Sequence, residues 1–228
     1  LYAMWAALMG VYHAQKTGEG DVIDVSQYES CLRVQGYGPL MYTTTGEQLK
    51  RTGNKEATYA GIDVFECKDG NYCVVQVSGR PAAKAIAALL GLDDEEHFIE
   101  GRPTLNGTPQ GDRLDGAIKA FCLERMPDEV ETQLKAIGVA CAPINNYEML
   151  MSNPHVIARN DFVEWYDEAS EQTLKGVAVL PPVKNNPGQI WRGAPKLGQD
   201  NEDILEELGY SNEEIEAMYA EGKIGKAE

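Results

Sequence analysis

No apolar run in this chain approaches the roughly 20 residues that a helix needs to cross a bilayer, so nothing reads as a membrane span and the expectation is a soluble protein. Basic residues are scarce, 20 against 36 acidic ones, for a formal net charge of -16. Such a balance argues against a nucleic-acid or anionic-membrane partner. The three histidines, His13, His97 and His155, lie far apart, and no Cys-x-x-Cys spacing occurs among the five cysteines. That pattern speaks against a zinc site, and no metal is expected. An odd, scattered set of cysteines in apolar surroundings reads instead as reduced, buried small side chains in a cytoplasmic protein. The first formal charge is Lys16. The opening segment is therefore not expected to be a signal peptide, which would need a basic leader.

What the chain does hold is organised around residues 17–29. Gly18 and Gly20 can take the positive φ that ends a helix, Asp21 to Val25 is a short β-branched run, and Ser26 with Glu29 has capping-box spacing. Helix, strand and helix follow in thirteen residues, a piece of an α/β layer. Before it, Leu1, Met4, Trp5, Leu8, Met9 and Tyr12 recur at helical spacing. The absence of a capping residue ahead of them leads to the expectation of a mostly buried helix continuing from an upstream segment.

At 228 residues and 43% apolar, the chain has room for one large domain or two small ones. Residues 1–42 read as a segment of a larger α/β domain, and 43–58, polar and rich in turn formers, as a linker. Residues 59–145 read as a small α+β domain. In it, Ile62 to Cys67 and Tyr72 to Val77 form a hairpin through Lys68-Asp69-Gly70-Asn71, a helix runs from Arg80-Pro81 to Leu90, and 97–113 is irregular. Helices over 114–125 and 128–137 then precede an apolar run to Ile144. Residues 146–228 return with two short helices, strands at 162–167 and 174–180, a proline-rich loop over 181–195, and helices at 201–208 and after Ser211. There is no internal repeat.

Few residues announce chemistry. Trp191 and Arg192 could clamp an anionic or aromatic ligand, although an aromatic anchor pinning the loop to the core is the plainer reading. Tyr59-Ala60-Gly61 makes a small-residue turn where backbone could approach a ligand, or simply a linker end. Asp24 could be a buried carboxylate, or a paired strand residue. Taken alone, these residues give an α/β protein with no self-evident active site.

A resemblance goes further. The 17–29 stretch, the Tyr59-Ala60-Gly61 turn entering the Lys68-Asp69-Gly70 hairpin, and above all Asn185-Asn186-Pro187-Gly188-Gln189-Ile190-Trp191-Arg192-Gly193 resemble the family III coenzyme A transferases, the CaiB/BaiF group. Within it the chain is most similar to the L-carnitine CoA-transferases. The likeness runs along essentially the whole chain but over only the later part of the family's length. It implies an α/β fold: part of a Rossmann-like large domain with an inserted small α+β domain, lacking the N-terminal half. It also implies CoA transfer between an acyl-CoA and a carboxylate, by way of an aspartyl-CoA thioester and mixed anhydrides. In the family the nucleophilic aspartate falls before the position of Leu1. No catalytic residue is carried over, and inactivity is expected of the chain alone.

Tyr59, Ala60 and Gly61 are expected at the lid of the acyl pocket. No cofactor is expected beyond coenzyme A, which is itself acyl carrier and substrate, and an interlocked homodimer is implied for the full-length protein. A carnitine-like acid could use Trp165, Trp191 or Tyr59 as a cation face. Oxalate is a poor expectation, because the longer polyglycine loop of oxalate-type members is missing. An acyl-CoA racemase of the same superfamily and a noncatalytic interaction module are the alternatives.

Overall fold

The computed structural model describes residues 1–225, which divide into two units, one from Leu1 to Ile144 and one from Asn145 onward.

Helix α1, Tyr2–Thr17, ends at Gly18, whose φ of 79° lets its N–H reach Ala14 O. No side chain caps its start, as expected. The expected burial is overturned: Trp5 is 63% and Leu8 70% exposed, and no residue of α1 is buried. Helical periodicity shows which face favours an apolar neighbour, but it does not supply that neighbour from within the chain. Residues 21–25 likewise form no strand. A β-branched run becomes a strand only when a ladder partner lies alongside, and here the Val22 N–H goes to the Asp21 carboxylate at 2.7 Å. Ser26 then caps α2, Gln27–Arg33, accepting the Glu29 N–H. Pro39 sits in the first turn of α3, Gly38–Thr45, which takes the opening residues of the expected linker.

The core begins at the predicted hairpin. Strands β1, Ile62–Glu66, and β2, Tyr72–Gln76, pair antiparallel with Val64 opposite Val74. Gly70, at φ 80°, makes the turn, and the Asp69 carboxylate accepts from the Asn71 backbone and side-chain amides at 3.1 and 2.8 Å. Along β2 the alternation puts Cys73 and Val75 inside. Helix α4, Gly79–Leu89, buries Ala82, Ile86 and Ala87. The stretch expected to be irregular contains a short helix, α5, Glu96–Ile99, which buries Phe98. Helix α6, Pro109–Leu123, starts earlier than expected, because Thr108 caps it through the Gly111 N–H and Pro109 fits its first turn. Helix α7, Pro127–Ala136, leads through Gly138 to β3, Ala140–Pro143, which pairs antiparallel with β2 and completes the order β1-β2-β3.

Side chains from α4, α6, α7 and the sheet, among them Ile86, Ile118, Val130, Leu134 and Val75, make one core, and all of its members lie between Ala60 and Cys141. Four of the five cysteines, Cys67, Cys73, Cys122 and Cys141, are buried in it as free thiols.

The second unit begins with two short capped helices, α8, Tyr147–Ser152, and α9, Pro154–Arg159, the latter ended by Asn160 at φ 56°. Strands β4, Phe162–Asp167, and β5, Gln172–Val177, form a two-stranded antiparallel sheet with Trp165 opposite Leu174. Helices α10, Asn201–Glu207, and α11, Asn212–Ala220, follow the proline-rich loop, and Ser211 with Glu214 forms a capping box at the start of α11.

Candidate functional site

The residues from Glu56 to Gly61 form a turn in which every backbone donor from Thr58 on has a specific acceptor. One Glu56 carboxylate oxygen accepts the Thr58 N–H at 2.6 Å and also the Tyr59 N–H. The Tyr37 hydroxyl donates to the other oxygen at 3.4 Å. Ala60 N–H donates to Thr104 O at 2.9 Å, and Gly61 N–H to Asp115 Oδ1 at 2.7 Å. The remaining Asp115 oxygen is paired with Lys55. Asn106 ties the far side, donating its backbone N–H to Thr58 O and its amide to Glu56 O. Two acidic side chains and one strand-like bridge, Tyr59 to Leu105, thus fix the backbone where sequence suggested only a small-residue turn.

Gly61 is required there twice over. Its φ is 78°, and an added Cβ would lie 2.9 Å from Val77 Cγ2 and 3.2 Å from Leu114.

Beside the turn is a cavity of about 390 Å³. Tyr59 and Ala60 line it, while Gly61 packs behind the wall against Val77 and Leu114. Ile62, Val77, Ala83 and Leu114 supply an apolar side; Arg80 and Arg102 supply positive charge, with Ser78 and Thr104 as hydroxyls. Among the described residues, the wall carries no carboxylate and no histidine. Arg102 is committed to Glu100 through a 2.6 Å bond from Nε and reaches Glu96 at 3.4 Å. The Arg102 bond, and then its charge, hold the Glu100 carboxyl below its ordinary range, with Arg80 and Lys84 adding to the effect. Among the described residues, the Arg80 guanidinium has no hydrogen-bonded or ion-paired carboxylate. Gly101 brings the wall against α4, since a Cβ there would lie 2.6 Å from Arg80 O and 2.7 Å from Lys84 Cγ.

Sequence reading missed Arg80, Arg102 and Thr104 as parts of one wall. Arg80 stood out only as a helix start, and the other two lie in the stretch read as irregular. No short-range spacing links them.

The other candidates fall elsewhere. Asp24 is exposed on the first unit. In the second unit Trp191 is 79% exposed, so it does not anchor the loop to a core there. Arg192 anchors instead, through two 2.7 Å bonds to the Asp200 carboxylate, while its guanidinium lies 4.6 Å from the Trp191 ring centre. Asp167, buried on β4, accepts from Ala194 N–H at 2.9 Å and from the Ser170 N–H and hydroxyl at 2.9 and 2.6 Å. Trp165 lies over Gly176, where a Cβ would meet its ring at 2.6 Å. Among the described residues no cluster of His, Cys, Asp or Glu is placed to hold a metal, and no helix is long and apolar enough to cross a membrane.

Comparison with known proteins gives a consistent picture. The sequence profile of CoA-transferase family III matches residues 1–201. Bile acid CoA-transferase BaiK of Clostridium scindens is 35% identical over 229 aligned residues, covering 97% of this chain and 52% of BaiK. Among solved structures, a CAIB/BAIF family protein from Brucella suis superposes with a TM-score of 0.67 at 21% identity, covering 91% of this chain and 53% of that one. Rv3272 from Mycobacterium tuberculosis gives 0.65 at 17% identity, covering 87% and 51%. The architecture is therefore that of the CaiB/BaiF fold, and the chain spans about half the length of the relatives it matches.

Proposed function

Because the chain belongs to CoA-transferase family III, we propose that it serves the transfer of coenzyme A between an acyl-CoA and a carboxylic acid, with the cavity beside Tyr59 taking part of the acyl or acid substrate. In this reading an aspartate carboxylate attacks the thioester carbonyl and expels the CoA thiolate. The thiolate then attacks the aspartyl carbonyl of the mixed anhydride, releasing the first acid and leaving an aspartyl-CoA thioester; the acceptor acid reverses these steps. The observation that carries the division of labour is the wall itself, which offers apolar surface and arginine but no carboxylate. The nucleophile comes from residues outside this wall, in the part of the relatives' length that these 228 residues do not span, and the chain alone is inactive. Small-domain and large-domain roles for 59–145 and its flanks, an interlocked homodimer and a cytoplasmic setting belong to the same proposal.

Two substrate readings compete. A carnitine-like acid rests on the sequence likeness, and of the three ring faces suited to its cation only Tyr59 lines the cavity. Trp191 already faces Arg192, Trp165 covers Gly176, and arginines in the wall repel a fixed cation. An apolar carboxylic acid suits the wall better, and BaiK, a bile acid CoA-transferase, is the relative that favours it. A racemase would need a histidine-aspartate acid-base pair at the α carbon, which, like the transferase nucleophile, would come from outside this wall, so proton exchange without an acceptor acid is what distinguishes it.

The test is an assay of CoA transfer from acyl-CoA to carnitine and to a steroid carboxylic acid. It is run on the chain alone and on a protein extended upstream to the relatives' length, with hydroxylamine to trap an aspartyl thioester. Transfer by the extended protein only, with the trap on an added aspartate and the steroid acid preferred, is expected. Transfer by the chain alone, or α-proton exchange without an acceptor acid, overturns the reading.

A further inference from the structure

The cavity beside Tyr59 carries a charge pattern that the transfer reaction does not require. In a chain of net charge -16, Arg80, Lys84 and Arg102 all bear on a single acidic group, Glu100. Arg102 donates from Nε to Glu100 and from Nη2 to Glu96. The guanidinium of Arg80 and the ammonium of Lys84 are hydrogen-bonded or ion-paired to no described carboxylate. Both stand on the first turns of α4, with Arg80 on the cavity wall. Gly101, by close contact with Arg80 O and Lys84 Cγ, leaves no side chain between the α4 start and the 101–104 segment. The same cavity is also lined by the apolar side chains of Ile62, Val77 and Leu114. A volume of about 390 Å³ falls in the range of small-molecule sites.

We propose that this cavity is an amphiphile subsite in which Arg80 binds an oxyanion, a carboxylate or a phosphate, joined to an apolar stem that lies against Ile62, Val77 and Leu114. It rests on the transfer reading only for the source of that ligand. Two sources share the chemistry: the second carboxylate of a dicarboxylic acid substrate, and a phosphate of coenzyme A. A guanidinium whose planar donors are not hydrogen-bonded to any described carboxylate suits either, and a charge-assisted bond of this kind is stronger than a neutral one. Arg80 therefore sets which acids the site retains, while chemistry on the reacting carboxylate happens elsewhere.

The experiment titrates the 228-residue chain, followed by amide shifts, with octanoate, suberate, inorganic phosphate and coenzyme A. Octanoate and suberate are expected to shift the amides of Gly79, Arg80 and Gly101, with inorganic phosphate competing and high salt weakening all of them. Arg80→Gln is expected to weaken binding about tenfold, the loss of one charge-assisted contact. Lys84→Gln should weaken it less, and Lys135→Gln, on α7, not at all. Suberate binding more tightly than octanoate, with no displacement by coenzyme A, assigns the anion to the acid; displacement by coenzyme A assigns it to the CoA phosphate. Absence of binding by octanoate and phosphate, or binding unchanged in Arg80→Gln with the fold intact by circular dichroism, overturns the proposal. Those results leave CoA transfer by the extended protein untouched, so the two readings fail separately.

Discussion

Gly61 and Asp115, 54 positions apart in sequence, are joined by a 2.7 Å bond from the glycine N–H to the aspartate Oδ1. The bond sets the cavity-lining turn on α6 rather than on its own neighbours. Its acceptor is largely buried, at 18% side-chain exposure, and its second oxygen holds Lys55. Removing that carboxylate strands a backbone donor in a poorly hydrated place, whereas removing only its charge does not.

Asp115→Ala is accordingly expected to lower the stability of the first unit by about 1–3 kcal/mol, the cost of an unsatisfied buried donor. Asp115→Asn keeps an acceptor for Gly61 and loses only the Lys55 pair, about 0–1 kcal/mol for an ion pair whose Lys55 end is still reached by solvent. Urea denaturation of the two variants separates these outcomes, and equal losses would contradict the assignment.

A second prediction concerns the proline-rich loop. A Cβ on Gly193 would lie 2.0 Å from Asp167 Oδ1 and 2.8 Å from its Cα. Gly193→Ala must therefore break the Ala194 to Asp167 bond, at a cost of about 1–3 kcal/mol typical of overpacking. Limited proteolysis over 181–200 should quicken relative to Gly20→Ala, where the added methyl group meets only open space.

The cysteines give a counting experiment. Cys31 is exposed and the other four are buried. Burial pushes the Cys122 thiol up to about 12 and the Cys141 thiol to about 11, and raises Cys67 and Cys73 as well. A thiol reagent at neutral pH should add once to the native chain and five times after denaturation, as read by intact mass. Two or more native adducts would contradict this packing.

Acid should loosen the second unit through Arg192 and Asp200. The bond from Arg192 holds the Asp200 carboxyl below its ordinary range. A depressed folded value means that the contribution is complete above the unfolded carboxylate range, near pH 4, and disappears as pH falls through the folded value. Asp200→Asn should remove that part of the acid dependence while lowering the neutral-pH melting temperature. A melting profile with unchanged acid slope would show that the pair does not contribute.

Local chemistry made much of this fold readable. Asp69-Gly70 announced the hairpin and Ser211 the start of the last helix, because each acts on backbone groups within a few residues. Residues 21–25 failed as a strand for the opposite reason, since their structure depends on a partner that spacing cannot supply. The site was half legible. Tyr59 and Ala60 stood out as a turn, but their meeting with Arg80 and Thr104 arises from the packing of α4 and the 101–104 segment. Trp191 misled because its size suggested an anchor, and the shorter route from Arg192 to Asp200 holds the loop.

The confinement of the main core cluster to residues 60–141 has a thermal consequence. The heat-capacity change of unfolding tracks newly wetted apolar surface, and residues 1–58, with no buried side chain, have little left to wet. Calorimetry would register chiefly the melting of the sheet with α4, α6 and α7, while amide exchange in α1 to α3 would run ahead of it.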